Sequence, residues 1–265
     1  MKLNGWSLLG WMFVSAMGLP TACNRDKPSE PAPNAPPATT AAPRPGEATS
    51  VRYVERMLGG AEKSDRVPMI MAIHGLGDRP ESFGRIFDGS TIRARLILPY
   101  GLSSYGDGFS WFPLSNFEPK ALADGTSHAA HELAKLLGEL EKSRPIQGKP
   151  IVTGFSQGGM LSFTLAVLHP DVISEALPLA GLLAPPLYPT SWPMGKLTPL
   201  VRAFHGDADD RVPIAGARNS VRALVGVGFT ATLSEYPNIR HSVSSDMRRD
   251  WLAALDAAAK RASQP

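Results

Sequence analysis

The stretch IVTGFSQGG, residues 151–159, decides the fold of this 265-residue chain. It holds a G-x-S-x-G pentapeptide between a short apolar run typical of a buried strand and a segment with the composition of a helix. The turn between them must be so sharp that the serine backbone is strained, and only residues without a side chain allow the close packing expected at Gly154 and Gly158. The pattern therefore predicts that this turn exposes the hydroxyl of Ser156.

Apolar and β-branched runs alternate with helix-like segments on both sides of this turn, and several of the runs are nearly continuous, as buried parallel strands are. The predicted strands are 51–57, 68–73, 95–98, 150–153, 175–179, 200–204 and 229–236. Helices are predicted over 127–142, with Thr126 or Asp124 as N-cap, and over 159–168, 214–225 and 244–262. This order predicts one α/β domain over residues 51–265, with a mostly parallel central sheet and helices on both faces.

A serine exposed in this way becomes a nucleophile when a histidine takes its proton and a carboxylate orients the histidine. On a strand-turn-helix of this kind, the three residues follow in the order serine, acid, histidine. Of six histidines, His169, His205 and His241 follow the serine. His169 stands at a predicted helix end, and His205 precedes the suitable acids. We therefore predict His241, in the loop between the last strand and the last helix, as the general base.

The acid is expected just after a central strand, because parallel strands present ligands at their C-terminal ends. Among the acidic residues between the serine and His241, this position selects the segment HGDADD, residues 205–210. Spacing alone leaves Asp207 and Asp209 as alternatives. One is expected to turn the loop by bonding its own backbone, while the other reaches the imidazole.

Two backbone N–H groups are predicted to stabilise the negative oxygen that forms when a carbonyl is attacked. One belongs to Gln157, the residue after the nucleophile, and the other to the loop after an earlier strand. That loop is HGLG, residues 74–77, whose glycines would let the N–H of Leu76 approach a substrate. His74 itself is expected to have a structural role.

Together these segments resemble the small carboxylesterase, lysophospholipase and acyl-protein thioesterase family over about residues 51–262. The similar motifs are HGLGD at 74–78, GFSQGG at 154–159, HGDAD at 205–209 and the pair His241-Ser242. The resemblance implies an α/β-hydrolase fold and a serine esterase that forms an acyl-enzyme without a cofactor. It further implies that Asp209 completes the triad of Ser156 and His241, which leaves Asp207 to turn the loop.

Two segments depart from the family pattern: residues 100–113, which are aromatic and glycine-rich, and residues 182–197, which are proline-rich. Both are expected to border the substrate pocket, with Tyr105, Trp111 and Phe112 among its lining. The expected substrate is a small-molecule or lipid ester. A depolymerase, a thioesterase or a peptidase on the same fold is an alternative, and a non-catalytic binding lipoprotein is an alternative of another class.

The N-terminus predicts export. Residues 1–22 place Lys2 before an uncharged apolar run that is shorter than the ~20 residues a membrane span needs, which is typical of a signal peptide. The small residues before Cys23 resemble the lipobox of bacterial lipoproteins, so that Cys23 would carry a lipid. Residues 23–50, rich in proline and alanine, predict a disordered tether. The expected location is the bacterial cell envelope, and plain secretion is the alternative.

Charge and cysteine content argue against other classes of function. The 27 basic and 24 acidic residues form no basic block, so nucleic-acid binding is not predicted. A single cysteine excludes an intramolecular disulfide and a cysteine metal cage within one chain. His128, His131 and Glu132 share a predicted helix, but their spacing matches no hydrolytic zinc motif. Neither a metal nor a cofactor is predicted.

Overall fold

The computed structural model describes residues 51–113 and 118–264. The predicted signal peptide, the predicted tether and Cys23 lie outside the described residues. None of the helices in the two described ranges has the length and apolar character that a membrane span requires.

The centre of the domain is a seven-stranded sheet. Its strands are β1 (Tyr53–Leu58), β2 (Met69–Ile73), β3 (Ala94–Pro99), β6 (Ile151–Phe155), β7 (Glu175–Leu179), β8 (Leu200–Gly206) and β9 (Ala231–Tyr236), and a separate hairpin holds β4 (Ser103–Tyr105) and β5 (Gly108–Ser110). The order across the sheet is β1, β3, β2, β6, β7, β8, β9. All neighbours are parallel except β1 and β3. All seven predicted strands are confirmed, whereas the hairpin was not predicted.

The helices are α1 (Pro80–Phe83), α2 (Pro119–Ser143), α3 (Gln157–Leu168), α4 (Ile214–Gly226) and α5 (Ser245–Ala262). The predicted start of α2 was wrong: the helix begins at residue 119 rather than 127. Its N-cap is Glu118, whose carboxylate accepts hydrogen bonds from the N–H groups of Lys120 and Ala121. Thr126 lies inside the helix, where its hydroxyl donates to the carbonyl of Leu122 at 2.8 Å.

Helices cover both faces of the sheet, as predicted. Alternate residues of β2 pack into two separate hydrophobic clusters, because successive side chains of a strand point to opposite faces. One cluster contains buried side chains of α2 and α3, and the other contains those of α5. The α5 cluster is tied to the central strand by Trp251, whose indole N–H donates to the Thr153 hydroxyl at 2.8 Å. Strand β6 is therefore held from both sides, which makes its end a rigid platform for Ser156.

Candidate active site

The turn after β6 is strained at Ser156, which has φ 57° and ψ −113°. Both glycines of the pentapeptide are required by packing. A Cβ at Gly154 would lie 2.5 Å from the carbonyl oxygen of Ile73, and a Cβ at Gly158 would overlap the same oxygen. The Ser156 N–H donates to the carbonyl of Leu179 at 3.0 Å, so β7 fixes the turn. Backbone strain of this kind costs about 1–3 kcal/mol and is concentrated at functional sites.

Ser156, His241 and Asp209 form a continuous hydrogen-bonded chain. Nε2 of His241 lies 2.9 Å from Oγ of Ser156, and Nδ1 lies 2.8 Å from Oδ2 of Asp209. The carboxylate can only accept, so Nδ1 carries the proton and Nε2 is free to accept the proton of the serine hydroxyl. The His241 side chain is 12% exposed and the Asp209 side chain is fully enclosed. This is the geometry of a nucleophile, a general base and an orienting acid.

The two oxygens of Asp209 do both of the tasks that we assigned to two different aspartates. Oδ2 meets the imidazole, while Oδ1 accepts from the N–H groups of Arg211 at 3.0 Å and Val212 at 2.9 Å. The expected division of labour was therefore wrong, because a single carboxylate turns its own loop and also reaches His241. Asp207 instead accepts from the N–H of Asn238 at 2.6 Å.

That contact of Asp207 joins the loop after β8 to the loop after β9, which carries His241. The two loops also share a bond from the Ala208 N–H to the carbonyl of Ile239 at 3.2 Å. Asn238 has φ 59°, a left-handed conformation that asparagine tolerates better than most residues. The acid and the base are thus positioned by one connected pair of loops.

Two further aromatic rings contact the triad, and we did not predict either of them. The ring of Phe155, the residue before the nucleophile, lies 4.8 Å from the His241 ring between centroids, at an interplanar angle of 36°. His205 is buried, with Nε2 2.7 Å from the carbonyl of Val212 and 3.3 Å from Oδ2 of Asp209. Burial lowers the pKa of His205, so the neutral ring donates its Nε2 proton to these acceptors. Its place at the end of a central strand was the available signal.

The two segments predicted to supply oxyanion donors both lie next to Ser156. Gln157 is the first residue of α3, and the first N–H groups of a helix have no partner within the helix. The loop with Leu76 passes close to the turn, because a Cβ at Gly75 would lie 3.4 Å from Cβ of Ser156. The Gly77 N–H donates to the carbonyl of Phe109 at 2.8 Å, so the β4–β5 hairpin supports this loop.

We expected Trp111 and Phe112 to line an open pocket, but this was wrong, since each is only 2% exposed. Their hydrogen bonds link the loop that begins at His74 to the start of α3 at Gln157. The indole N–H of Trp111 donates to the carbonyl of His74 at 3.0 Å. The buried amide of Gln157 accepts from the N–H of Trp111 at 3.0 Å and donates to the carbonyl of Phe112 at 2.9 Å. The Gln157 side chain is therefore a structural link that sequence reasoning missed.

Tyr105 is 55% exposed on the β4–β5 hairpin, and its ring lies 3.5 Å from the position of a Cβ on Gly77. It therefore stands beside the loop of the proposed oxyanion donor. A separate apolar cleft of about 570 Å³ adjoins the acid loop. The proline-rich segment contributes three of its lining residues, Leu182, Pro185 and Tyr188. This placement fits the expectation that residues 182–197 border a pocket.

Three of the four remaining histidines contact other groups of the fold. The Nδ1–H of buried His74 donates to the carbonyl of Gly75 at 2.7 Å, while Nε2 accepts from the N–H of Gly101 at 3.2 Å. His131 packs against His169, with ring centroids 5.6 Å apart. Over the described residues, no group of three or more His, Cys, Asp or Glu side chains is placed to hold a metal ion.

A mostly parallel sheet with a strained serine after its central strand, followed in the chain by an aspartate and a histidine that complete a triad, defines an α/β hydrolase. The family described as Phospholipase/Carboxylesterase matches residues 61–257, and the chain belongs to this family.

Individual relatives agree with this family. Lysophospholipase-like protein 1 of Mus musculus is 30% identical over 126 residues, which are 45% of this chain and 52% of the mouse protein. The chain thus matches about half the length of that relative. The structure of esterase PE8 superposes with a TM-score of 0.66 at 23% identity, covering 80% of this chain and 99% of the esterase. Acyl-protein thioesterase 2 of Zea mays gives 0.59 at 22% identity, covering 78% and 98%. These two likenesses show the fold.

Proposed function

We propose that the protein is a serine esterase that hydrolyses carboxylic esters, with Ser156 as nucleophile, His241 as general base and Asp209 as orienting acid. The observation that carries the proposal is the pair of contacts on the His241 ring, 2.9 Å to Ser156 and 2.8 Å to Asp209. A hydrolase family supplies the class of reaction. A protein that only binds its ligand would gain nothing from a strained serine in hydrogen-bond contact with a histidine.

In the first step, Oγ of Ser156 attacks the ester carbonyl while Nε2 of His241 takes the hydroxyl proton. The carbonyl oxygen becomes negative and accepts hydrogen bonds from the N–H groups of Leu76 and Gln157, each worth about 10²–10³ in rate in comparable sites. The position of Gln157 at the start of α3 adds the positive end of the helix dipole. The Asp209 carboxylate stabilises the imidazolium that forms.

In the second step, the imidazolium gives its proton to the leaving alcohol, and the acyl group remains on Ser156. Water then enters, loses a proton to His241 and attacks the acyl carbonyl. Collapse of this second intermediate releases the acid and returns the proton to Ser156. No group other than the triad, the two N–H donors and water takes part.

The cleft beside the acid loop supports an ester with an apolar chain as substrate. Ligand sites are concave and mostly apolar, with a few polar groups that fix orientation. The N–H of Val212, which lines this cleft, donates to the Asp209 carboxylate, so the cleft adjoins the loop that carries Asp209. We infer that the acyl or alcohol chain of the ester occupies it.

The experiment measures hydrolysis of p-nitrophenyl acetate, butyrate and octanoate by the chain carrying Cys23→Ser and by the same chain with Ser156→Ala. We expect a loss of at least about a thousandfold on substitution, as for other triad serines. Phenylalanine p-nitroanilide and octanoyl-coenzyme A test amide and thioester cleavage in the same assay. Equal background rates in two folded samples would contradict the proposal and favour a binding lipoprotein.

We also propose that the protein is exported and tethered through a lipid on Cys23. The small residues before Cys23, which resemble a lipobox, and the proline- and alanine-rich segment 23–50 after it support this proposal. Incorporation of labelled palmitate that is lost in Cys23→Ala tests this proposal. Incorporation that persists in the variant would contradict it.

A further inference from the structure

The cleft beside the acid loop is apolar except at one side of its rim. Its apolar wall includes Leu122 of α2 and Leu182 and Tyr188 of the proline-rich segment. The charged residues of its lining are Asp210 and Arg211, which directly follow the triad aspartate. A chain lying in this cleft would therefore pass a charged rim next to the acid loop.

Arg211 is fixed at its backbone and exposed at its side chain. Its N–H donates to Oδ1 of Asp209 at 3.0 Å, which places the residue against the triad. The residue as a whole is exposed. No acidic side chain in the described part of the chain forms an ion pair with its guanidinium. Asp210 attracts the guanidinium only at longer range, since Asp210 itself pairs with Arg240.

One charged residue of the rim has no ion-pair partner among the described side chains. Asp210 forms an ion pair with Arg240, and this hydrogen bond is the main reason that the pKa of Asp210 lies below its usual value. The Asp209 carboxylate is enclosed and takes its donors from His241 and from backbone N–H groups. Arg240 therefore pairs with Asp210, which leaves Arg211 as the lining residue whose charge has no ion pair among the described side chains. Helix α4 also starts here, without a side-chain cap or an acidic residue in its first turn.

We propose that Arg211 determines specificity by binding an anionic group of the substrate. The proposal rests on the esterase function above and narrows its substrate class to amphiphilic esters that combine an apolar chain with a carboxylate or a phosphate. The apolar wall takes the chain, and the planar guanidinium forms a paired hydrogen bond with the anion. Arg211 takes no part in proton transfer.

The test uses the full chain with Cys23→Ser and compares neutral with anionic esters. The neutral substrates are p-nitrophenyl butyrate, hexanoate and octanoate, and the anionic ones are the mono-p-nitrophenyl esters of succinate, adipate and suberate. For Arg211→Gln, we expect kcat/KM for the best anionic ester to fall about three- to tenfold, mainly through KM, while neutral esters change less than about twofold. Arg211→Lys should retain most of the preference, and Arg211→Glu should lower it further.

Arg93→Gln is the control, since Arg93 is also an exposed arginine. It lies just before β3, at the end of the parallel strands opposite to the end that carries Ser156. Competitive inhibition by octanoate and by octyl phosphate shows which anion fits better, and Arg211→Gln should weaken both. Added salt should reduce the preference of the wild type. If the wild type cleaves the neutral esters through Ser156 but Arg211→Gln changes neutral and anionic rates equally, the inference is wrong and the esterase proposal stands. If no ester is cleaved and neither anion binds, both fail.

Discussion

Nε2 of His205 lies 3.3 Å from Oδ2 of Asp209. The same oxygen accepts the hydrogen bond from Nδ1 of His241, the proposed general base. His205 is buried at the end of β8 and also donates to the carbonyl of Val212. The triad aspartate thus has donors from two histidines and from two backbone N–H groups. This enclosure holds the carboxylate in one orientation, which a triad needs because its base works only in one tautomer.

Replacement of His205 should therefore lower both the stability of the fold and the rate of the reaction. We expect His205→Leu to lower the free energy of unfolding by about 1–3 kcal/mol, because the carbonyl of Val212 loses its buried donor. The value of kcat should fall about tenfold with little change in KM. His205→Gln, which can still donate, should recover part of both losses. Urea unfolding and ester kinetics measure these effects, and a fully active, fully stable His205→Leu protein would refute them.

The two aspartates of the acid loop should differ strongly in their effect on catalysis. Asp209→Asn should lower kcat by about 10³–10⁴, since an amide favours the wrong tautomer of the base. Asp207→Asn should cost less than about tenfold, because the asparagine oxygen still accepts from the Asn238 N–H. Both variants should remain folded by circular dichroism. The opposite ranking of the two rates would mean that the acid is misassigned.

Stability should fall in mildly acidic solution because two histidines are buried. Burial lowers the pKa of both His74 and His205 below the ordinary value of 6.5. Below about pH 6.5 the unfolded chain therefore binds more protons than the folded one, so the free energy of unfolding decreases as the pH falls from 7.5 to 5.5. A protonated His74 would also lose the bond from the Gly101 N–H. Urea titrations at several pH values test this, and His205→Gln should reduce the slope; a rise of stability toward pH 5.5 would contradict it.

Phe155 should position the catalytic imidazole. Its ring packs against the His241 ring at 4.8 Å, so Phe155→Leu would leave the imidazole free to rotate away from the serine. We expect kcat to fall about tenfold, with KM within about twofold and a loss of stability of only about 1 kcal/mol. Phe155→Tyr keeps the ring and should keep most of the activity. A change in KM or a loss of stability with kcat unchanged would mean that the phenylalanine has a purely structural role.

The turn, and the chain order of the serine, aspartate and histidine that the structure brings together, could be predicted because local constraints dictate them. Glycine at 154 and 158 is required by contact with the Ile73 carbonyl, and such a requirement is visible in the sequence. His241 was selected by chain order alone. The choice between Asp207 and Asp209 needed a family resemblance, since spacing does not reveal that one carboxylate can use its two oxygens for two tasks.

Only part of the pocket lining could be predicted, because the lining depends on how distant segments pack: residues 182–197 contribute to the cleft as expected, whereas Trp111 and Phe112 do not. Trp111 and Phe112 sit in a glycine-rich, aromatic stretch that is typical of a binding loop, yet tertiary contacts with His74 and Gln157 bury both. The sequence also gives no sign that Arg211 lies at the rim of a cleft, since Arg211 is one of 27 basic residues. Only the fold brings it to an apolar cleft.

The most direct test of the proposed nucleophile is covalent labelling with p-nitrophenyl diethyl phosphate, followed by intact mass and peptide mapping. A serine activated by a histidine attacks this phosphoryl ester and retains one diethylphosphoryl group, whereas an ordinary surface serine does not react. We predict a single label on Ser156 in the wild type, greatly slowed labelling in His241→Ala and none at this position in Ser156→Ala. An unlabelled wild type, or a label on another residue, would contradict the assignment of Ser156 as the nucleophile.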